Sequence, residues 1–237
     1  MRALKLCLPF LFALSSMLSG CLVDEERNRQ LTRSSDDADD PKVVLENTKT
    51  DSTGKEIIVI DEKEREEMDT SPIRRVIQQR RNAGVRGIVS AAKLRRLVPD
   101  AFRGFKAGDV NAESINLKDR DLVMSFVDFK LRNSGRLIEG NITDLNGAPD
   151  KLISAWKAHN LELDYRSTRE FNLSYRPNDW MVGFENIMRN KNEAIVSVLV
   201  DNRFVIELHG YGFKDADFLK ELLRSMQPSR LKDPASI

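Results

Sequence analysis

The chain has 237 residues, with 38 lysines and arginines against 37 acidic residues and a formal net charge of +1. This length is enough for one domain of ordinary size with a tail, and the balanced charge provides no global field that would attract nucleic acid. The sequence contains only two histidines, and it has no nucleotide-binding glycine loop, nucleophile elbow or HExxH motif. It therefore predicts no cofactor, no metal and no concentrated catalytic centre.

The first 20 residues have the pattern of a secretory signal. A short positive stretch at residues 1–5 is followed by an apolar run at residues 6–17, which is shorter than the roughly 20 apolar residues that span a bilayer. Leu18-Ser19-Gly20-Cys21 comes directly after this run. These four residues resemble the lipobox of bacterial lipoproteins.

The resemblance implies cleavage before Cys21, a diacylglyceryl thioether on its sulfur and acylation of the new amino terminus. Two or more acyl chains anchor a protein stably to a membrane. In such lipoproteins an Asp after the cysteine signals retention in the inner membrane, so Leu22 at this position implies the outer membrane, facing the periplasm. Cys7 would leave with the signal, and the mature chain would have neither a free thiol nor a disulfide. The alternative is an ordinary secreted protein, because Ser19-Gly20 also suits a general signal peptidase.

Residues 21–68 are predicted to form an acidic, flexible tether. The segment is polar and poor in aromatic residues, and residues 34–41 are of low complexity. Two short apolar runs, at residues 43–45 and 57–60, interrupt it. These runs would either pair as a hairpin or add one strand to the edge of the main sheet.

Residues 69–100 form a basic segment with two predicted helices. The first begins at Ser71, taken as the N-cap, and stops at Gly84. Its periodicity places Arg74, Arg75 and Arg81 on the outer face. We expect these arginines to bind anionic lipid, lipopolysaccharide or an acidic partner. The alternative is a pair of solvated helices neutralised by the acidic run at residues 61–69.

Residues 101–230 are predicted to form an α+β domain, and residues 231–237 a disordered tail. Period-two alternation marks strands at residues 122–131, 137–145, 171–175, 180–184, 195–200 and 204–211, with helices after Pro149 and at residues 215–226. We expect an antiparallel sheet of about six or seven strands with the helices on one face. Residues 136–156 and 203–223 align in register, which suggests a pseudo-repeat of a meander followed by a helix.

Three residues of the last strand form a polar row. Alternation places Glu207, His209 and Tyr211 on one face, where they would accept a proton or bind a polar ligand. The alternative is the solvated face of a half-buried strand. His159 lies at the end of a predicted helix, where its imidazolium would cap the helix dipole.

These features favour a non-enzymatic, lipid-anchored envelope protein whose domain is a binding or adaptor module for another protein or envelope component. The alternatives are a periplasmic hydrolase that uses Glu207 and His209, or a small-molecule carrier with a cavity lined by Trp156 or Trp180.

Overall fold

The computed structural model describes residues 48–50, 56–58, 67–85, 87–117 and 122–233. The predicted signal, the lipobox and the apolar run at residues 43–45 lie outside these residues. The helices are α1 Ser71–Asn82, α2 Ala91–Leu94, α3 Pro149–Asn160 and α4 Asp217–Ser225, with 3₁₀ turns at Arg95–Leu97 and Pro228–Lys232. The strands are β1 Thr48–Thr50, β2 Glu56–Ile58, β3 Ala101–Phe102, β4 Phe105–Leu117, β5 Leu122–Asn133, β6 Arg136–Gly147, β7 Asp164–Arg166, β8 Glu170–Asn178, β9 Met181–Met188, β10 Glu193–Val200 and β11 Phe204–Tyr211.

The main sheet has nine strands in the order β3-β4-β5-β6-β11-β10-β9-β8-β7, and every neighbouring pair is antiparallel. The predicted α+β class with an antiparallel sheet is confirmed, but the predicted strand count is too low. The six predicted strands are present, and β3, β4 and β7 are additional. Strands β1 and β2 pair with each other as a separate two-stranded sheet.

Helices cover both faces of the main sheet, so the prediction that they gather on one face is wrong. Leu152 of α3 and Ile73 of α1 pack with Leu199 of β10, on what we call the α3 face. The opposite α4 face carries Val198 of β10 and Leu222 of α4 in one cluster. Successive residues of a strand point to opposite faces, which places the two clusters on the two sides of the sheet. Burying each such aliphatic side chain contributes about 1.5–3 kcal/mol.

Each half of the main sheet is an antiparallel meander followed by a helix. Strands β4 to β6 precede α3, and strands β8 to β11 precede α4. The halves join at the centre of the sheet, where Ile142 of β6 lies opposite Ile206 of β11. The predicted pairing of meander and helix is therefore present, although the two helices lie on opposite faces.

A buried ion pair fixes the loop before α2 to the sheet. The guanidinium of Arg203 donates to both carboxylate oxygens of Asp144, at 2.9 and 2.6 Å, and the Asp144 side chain is fully buried. The same carboxylate accepts the backbone N–H of Val89 at 2.7 Å. Arg203 also donates to the carbonyl of Gly87 at 3.2 Å. One carboxylate therefore links β6, the β10–β11 turn and residues 87–89.

The chain after α4 remains packed on the domain for several residues. The turn Pro228–Lys232 buries Leu231 completely. The predicted start of the tail at residue 231 thus falls inside a packed turn, while residues 234–237 lie outside the described part of the chain.

Candidate functional site

Helix α1 presents the predicted arginines to solvent. Its N-cap is Thr70 and not Ser71, and the Asp69 carboxylate accepts the Ser71 N–H at 2.8 Å. Gly84, with a φ of 73°, ends the helix as predicted. Ile73 is buried against the α3 face, and the helical period consequently directs the predicted arginines outward.

We call Arg74, Arg75 and Arg81 the basic helix surface. All three are exposed, and none has an ion pair with a described residue. Arg74 donates to the hydroxyl of Thr70 at 3.1 Å, and Arg75 donates to the carbonyl of Ser71 at 3.4 Å. These contacts stay within one helical turn and leave the three guanidinium groups exposed.

Three other arginines between residues 74 and 103 form ion pairs within the domain. Arg80 donates to the carbonyl of Asn202 and forms an ion pair with Asp201 at 3.1 Å. Arg95 pairs with Asp100, and Arg103 pairs with Glu221. These neutralising acids come from loops and from α4. Neutralisation by the acidic run at residues 61–69 stays a prediction, because residues 61–66 lie outside the described part of the chain.

A groove of about 380 Å³ lies between α1 and the start of α3. Its lining combines guanidinium groups with apolar side chains: Arg74, Ile77, Gln78, Arg81, Pro149, Asp150 and Ile153. A groove with this lining suits a segment that carries both a carboxylate or phosphate and an apolar group, since guanidinium binds both anions in a bidentate manner.

The polar row of β11 lies on the α3 face and joins a network across four strands. The Nε2 atom of His209 lies 3.3 Å from a carboxylate oxygen of Glu193, and the His209 ring stacks on Tyr211 with centroids 4.1 Å apart. The Tyr211 hydroxyl donates to Glu139 at 3.2 Å, and Lys130 contacts the same carboxylate at 2.6 Å. Burial, assisted by the negative charges of Glu139 and Glu193, raises the pKa of Tyr211 to about 12. Tyr211 therefore remains a proton donor at neutral pH.

Glu207 is half-buried between Asn141 of β6 and Ser197 of β10, its cross-strand neighbours. Burial raises the pKa of Glu207. The structure thus places the three residues of the predicted row on one face, but the hydrogen bonds described for His209 lead to Glu193 and not to Glu207.

His159, predicted to cap α3 as a charged imidazolium, is instead buried between α3 and the sheet. Its Nδ1–H donates to the Ala155 carbonyl at 2.6 Å, which leaves Nε2 to accept the Ser197 hydroxyl at 2.9 Å. Burial lowers the pKa of His159 to about 4. The imidazole is therefore neutral at pH 7 and does not act as a charged helix cap. Ser197 is 1% exposed and His159 6% exposed, so this serine–histidine pair offers no access to a substrate.

The two tryptophans considered as cavity walls lie in different clusters. Trp156 packs with the cluster of the α3 face, and Trp180 packs with the cluster of the α4 face. A second groove, of about 280 Å³, lies near β7 and β8 and is lined by Glu162, Leu163, Asp164, Ser174 and Arg176. Neither tryptophan lines this groove or the one beside α1.

Several partners of the polar row were not singled out from sequence. Lys130, Glu139 and Glu193 lie on the α3 face, where Lys130 and His209 are both cross-strand neighbours of Glu139, and Glu193 is that of Tyr211. Which of these side chains meet depends on the strand order, which alternation does not specify.

Among residues 67–85, 87–117 and 122–233, no group of three acidic, histidine or cysteine side chains is placed to hold a metal ion.

Comparison with known proteins gave two structural matches. No protein-family model matches the sequence, and no curated protein matches it. The extracellular domain of PknH from Mycobacterium tuberculosis is 6% identical with a TM-score of 0.41, covering 62% of this chain and 100% of that domain. An uncharacterised protein from Mycobacterium smegmatis is 10% identical with a TM-score of 0.35, covering 60% of this chain and 97% of that one. No helix among the described residues is both long and apolar enough to cross a membrane.

Proposed function

We propose that this chain is a lipid-anchored protein of the bacterial envelope whose α+β domain is a binding or adaptor module for an acidic partner. Leu18-Ser19-Gly20-Cys21, placed directly after an apolar signal-like run, supports attachment through acyl chains on Cys21. The partner is another protein or an envelope component.

The observation that carries the binding role is the division of the arginines between residues 74 and 103 into two groups. Arg80, Arg95 and Arg103 are held in ion pairs of the domain. The basic helix surface keeps three guanidinium groups exposed on one helix, beside the groove of about 380 Å³. Charges arranged in this way accelerate encounter with an acidic surface and fix its orientation.

The test is affinity capture from envelope extracts with the unlipidated mature chain, which carries Cys21→Ser. Replacing Arg74, Arg75 and Arg81 together with Gln removes three positive charges from the basic helix surface. Each exposed charge contributes up to about 1 kcal/mol, so we expect recovery of the captured component to fall by about tenfold or more. Mass spectrometry of the captured material measures the change.

The matched control removes the same charge elsewhere. Arg166, Arg169 and Arg176 are exposed arginines near β7 and β8, and their joint replacement with Gln should leave recovery unchanged. Equal recovery by the two triple variants, or no component enriched by the parent chain, would refute the proposed role of α1.

A further inference from the structure

The groove between α1 and α3 divides the basic helix surface unequally. Each residue of a helix is turned by about 100° from the one before it, so Arg74 and Arg81, seven residues apart, point in directions that differ by only about 20°. Arg75 is turned by about 100° from Arg74. Accordingly, Arg74 and Arg81 line the groove, whereas Arg75 does not. A segment that lies in the groove therefore contacts two of the three exposed arginines.

The two walls of the groove differ in charge. The α1 wall carries Arg74 and Arg81, with Ile77 between them. The α3 wall carries the half-buried side chain of Ile153 and the exposed carboxylate of Asp150. Among the described ion pairs, none joins Asp150 to either arginine. The α1 wall consequently attracts an acidic side chain of a ligand, while the α3 wall repels it and offers a contact to an apolar one.

An extended segment of alternating acidic and apolar residues matches these walls. Successive side chains of an extended chain point to opposite sides, so acidic residues on one side would face α1 and the apolar residue between them would face α3. Two such acidic residues lie about 7 Å apart. The Cα atoms of Arg74 and Arg81 lie about 10 Å apart along the helix, and their long side chains can converge on both carboxylates. A continuous acidic run would instead direct every second carboxylate toward Asp150.

We infer that the groove binds an extended segment of a protein partner in which one apolar residue lies between two acidic residues. The inference rests on the proposed function, because it concerns the same basic helix surface, and it specifies the chemistry of the partner. A membrane surface matches the groove less well, since a flat array of anions would contact Arg75 as readily as Arg74 and would be repelled by Asp150.

NMR titration of the isotope-labelled mature chain carrying Cys21→Ser tests this inference with two peptides that are capped at both ends. The first is Gly-Gly-Glu-Leu-Glu-Gly-Gly, and the second, Gly-Gly-Glu-Glu-Leu-Gly-Gly, has the same composition and charge. We expect the first peptide to shift the signals of α1 and α3 and to bind about fivefold more tightly than the second, because the second directs one carboxylate toward Asp150.

Single substitutions on one helix provide the matched control. Arg74→Gln and Arg81→Gln should each weaken binding of the first peptide by about fivefold, which is the effect of one exposed charge. Arg75→Gln removes the same charge from the same helix but outside the groove, and it should leave the affinity nearly unchanged. All three side chains are exposed, so the variants should fold like the parent chain.

Asp150→Asn tests the orientation of the segment. The peptide Gly-Gly-Glu-Glu-Glu-Gly-Gly directs its middle carboxylate toward Asp150. The variant should therefore bind this peptide about fivefold more tightly than the parent chain does, and should gain less for the first peptide.

Three results would overturn the inference: no binding of the first peptide, equal binding of the first two peptides, or an equal loss in Arg75→Gln and Arg74→Gln. Binding to phosphatidylglycerol vesicles that all three single arginine variants weaken equally would also overturn it and would indicate a membrane surface. The proposed function fails by a different result, which is equal recovery of the captured component by the two triple variants.

Discussion

At the scale of single residues, two polar pairs are buried inside the domain: Asp144 with Arg203, and His159 with Ser197. Asp144 lies on the α4 face of β6, the same face as Ile138 and Ile142, and its charge is neutralised by Arg203. The sequence indicates that Asp144 is buried, because alternation along β6 places its carboxylate on the same face as Ile138 and Ile142. The position of His159 was predicted correctly at the end of its helix, but its burial was not, since periodicity does not report which sheet residues lie beneath a helix.

Removing the charge of Asp144 should destabilise the domain strongly. In Asp144→Asn the buried guanidinium of Arg203 keeps its charge but loses its counter-ion. Breaking a buried pair in this way costs about 3–5 kcal/mol. Urea unfolding should show this loss in the free energy of unfolding.

Asp201→Asn serves as the control for this measurement. It breaks the ion pair with Arg80, but the Asp201 side chain is 42% exposed. We expect a loss below about 1 kcal/mol. Similar losses for the two variants would show that burial does not determine the strength of the Asp144–Arg203 pair.

His159 should make the stability of the domain dependent on pH. Its pKa falls from 6.5 to about 4 on folding, so the unfolded chain binds a proton that the folded chain does not bind between these values. Stability is therefore fully present above pH 6.5 and decreases as the pH falls toward 4. Between pH 7 and pH 5 we expect a loss of about 2 kcal/mol from this residue.

Urea unfolding of the parent chain and of His159→Gln at both pH values isolates this contribution. The variant is expected to be less stable at pH 7, because it loses the geometry of the bonds to Ala155 and Ser197, but it should change less with pH. Burial raises the pKa of Asp128 and Glu207, which has the opposite effect on the pH dependence, but both groups are present in both proteins and cancel in the difference. An equal change with pH in the two proteins would contradict the buried, neutral state of His159.

At the scale of elements, sequence patterns located the helices better than the strands. The ends of α1 and α4 lie within two residues of their predicted positions. The N-cap of α4 is Ala216 and not Asp215, with which the predicted helix begins; Asp215 instead accepts the N–H of Asp217 at 3.1 Å. Strand β4 was missed since most of its side chains are exposed on both faces, which removes the alternation of apolar and polar residues. Strands β3 and β7 are too short to show any period.

The contact between β9 and β10 should be sensitive to a single methyl group at Gly183. A Cβ atom at this position would lie 2.0 Å from the carbonyl oxygen of Ser197 and 2.8 Å from the Cα of Val198. Both atoms belong to the backbone and cannot move without separating the strands. We expect Gly183→Ala to lower the free energy of unfolding by about 3 kcal/mol.

Gly108→Ala is the matched control, because its nearest contact would be an ordinary 3.6 Å to the carbonyl of Lys130. Thermal and urea unfolding of both variants measure the difference. A Gly183→Ala protein as stable as the Gly108→Ala protein would show that β9 and β10 are not packed as closely as described.

At the scale of the whole molecule, the fold class was predicted but the layer arrangement was not. Alternation and short connections are sufficient to indicate an antiparallel sheet with helices. They do not indicate the face on which a helix packs, because the handedness rule that decides this applies to connections between parallel strands. The aligned segments at residues 136–156 and 203–223 show the difficulty: Ile138 faces α4, whereas its counterpart Val205 faces α3.

Attachment of the whole molecule to the membrane should depend on one sulfur atom. Cys21→Ala removes the acceptor of the acyl chains, and we expect the variant to move from the membrane fraction to the soluble fraction. Fractionation followed by immunodetection measures the distribution, with Cys7→Ala as the control that keeps the acceptor. A Cys21→Ala protein that remains with the membranes after a high-salt wash would contradict lipid anchoring.

The position of β11 between β6 and β10 affects how the protein is made. The strand that joins the two halves is the last strand among the described residues, so the ribosome finishes residues 1–203 before the centre of the sheet can form. Until then β6 and β10 both have a vacant side. Such a chain remains open during synthesis, and its two half-sheets can join only once β11 has been made.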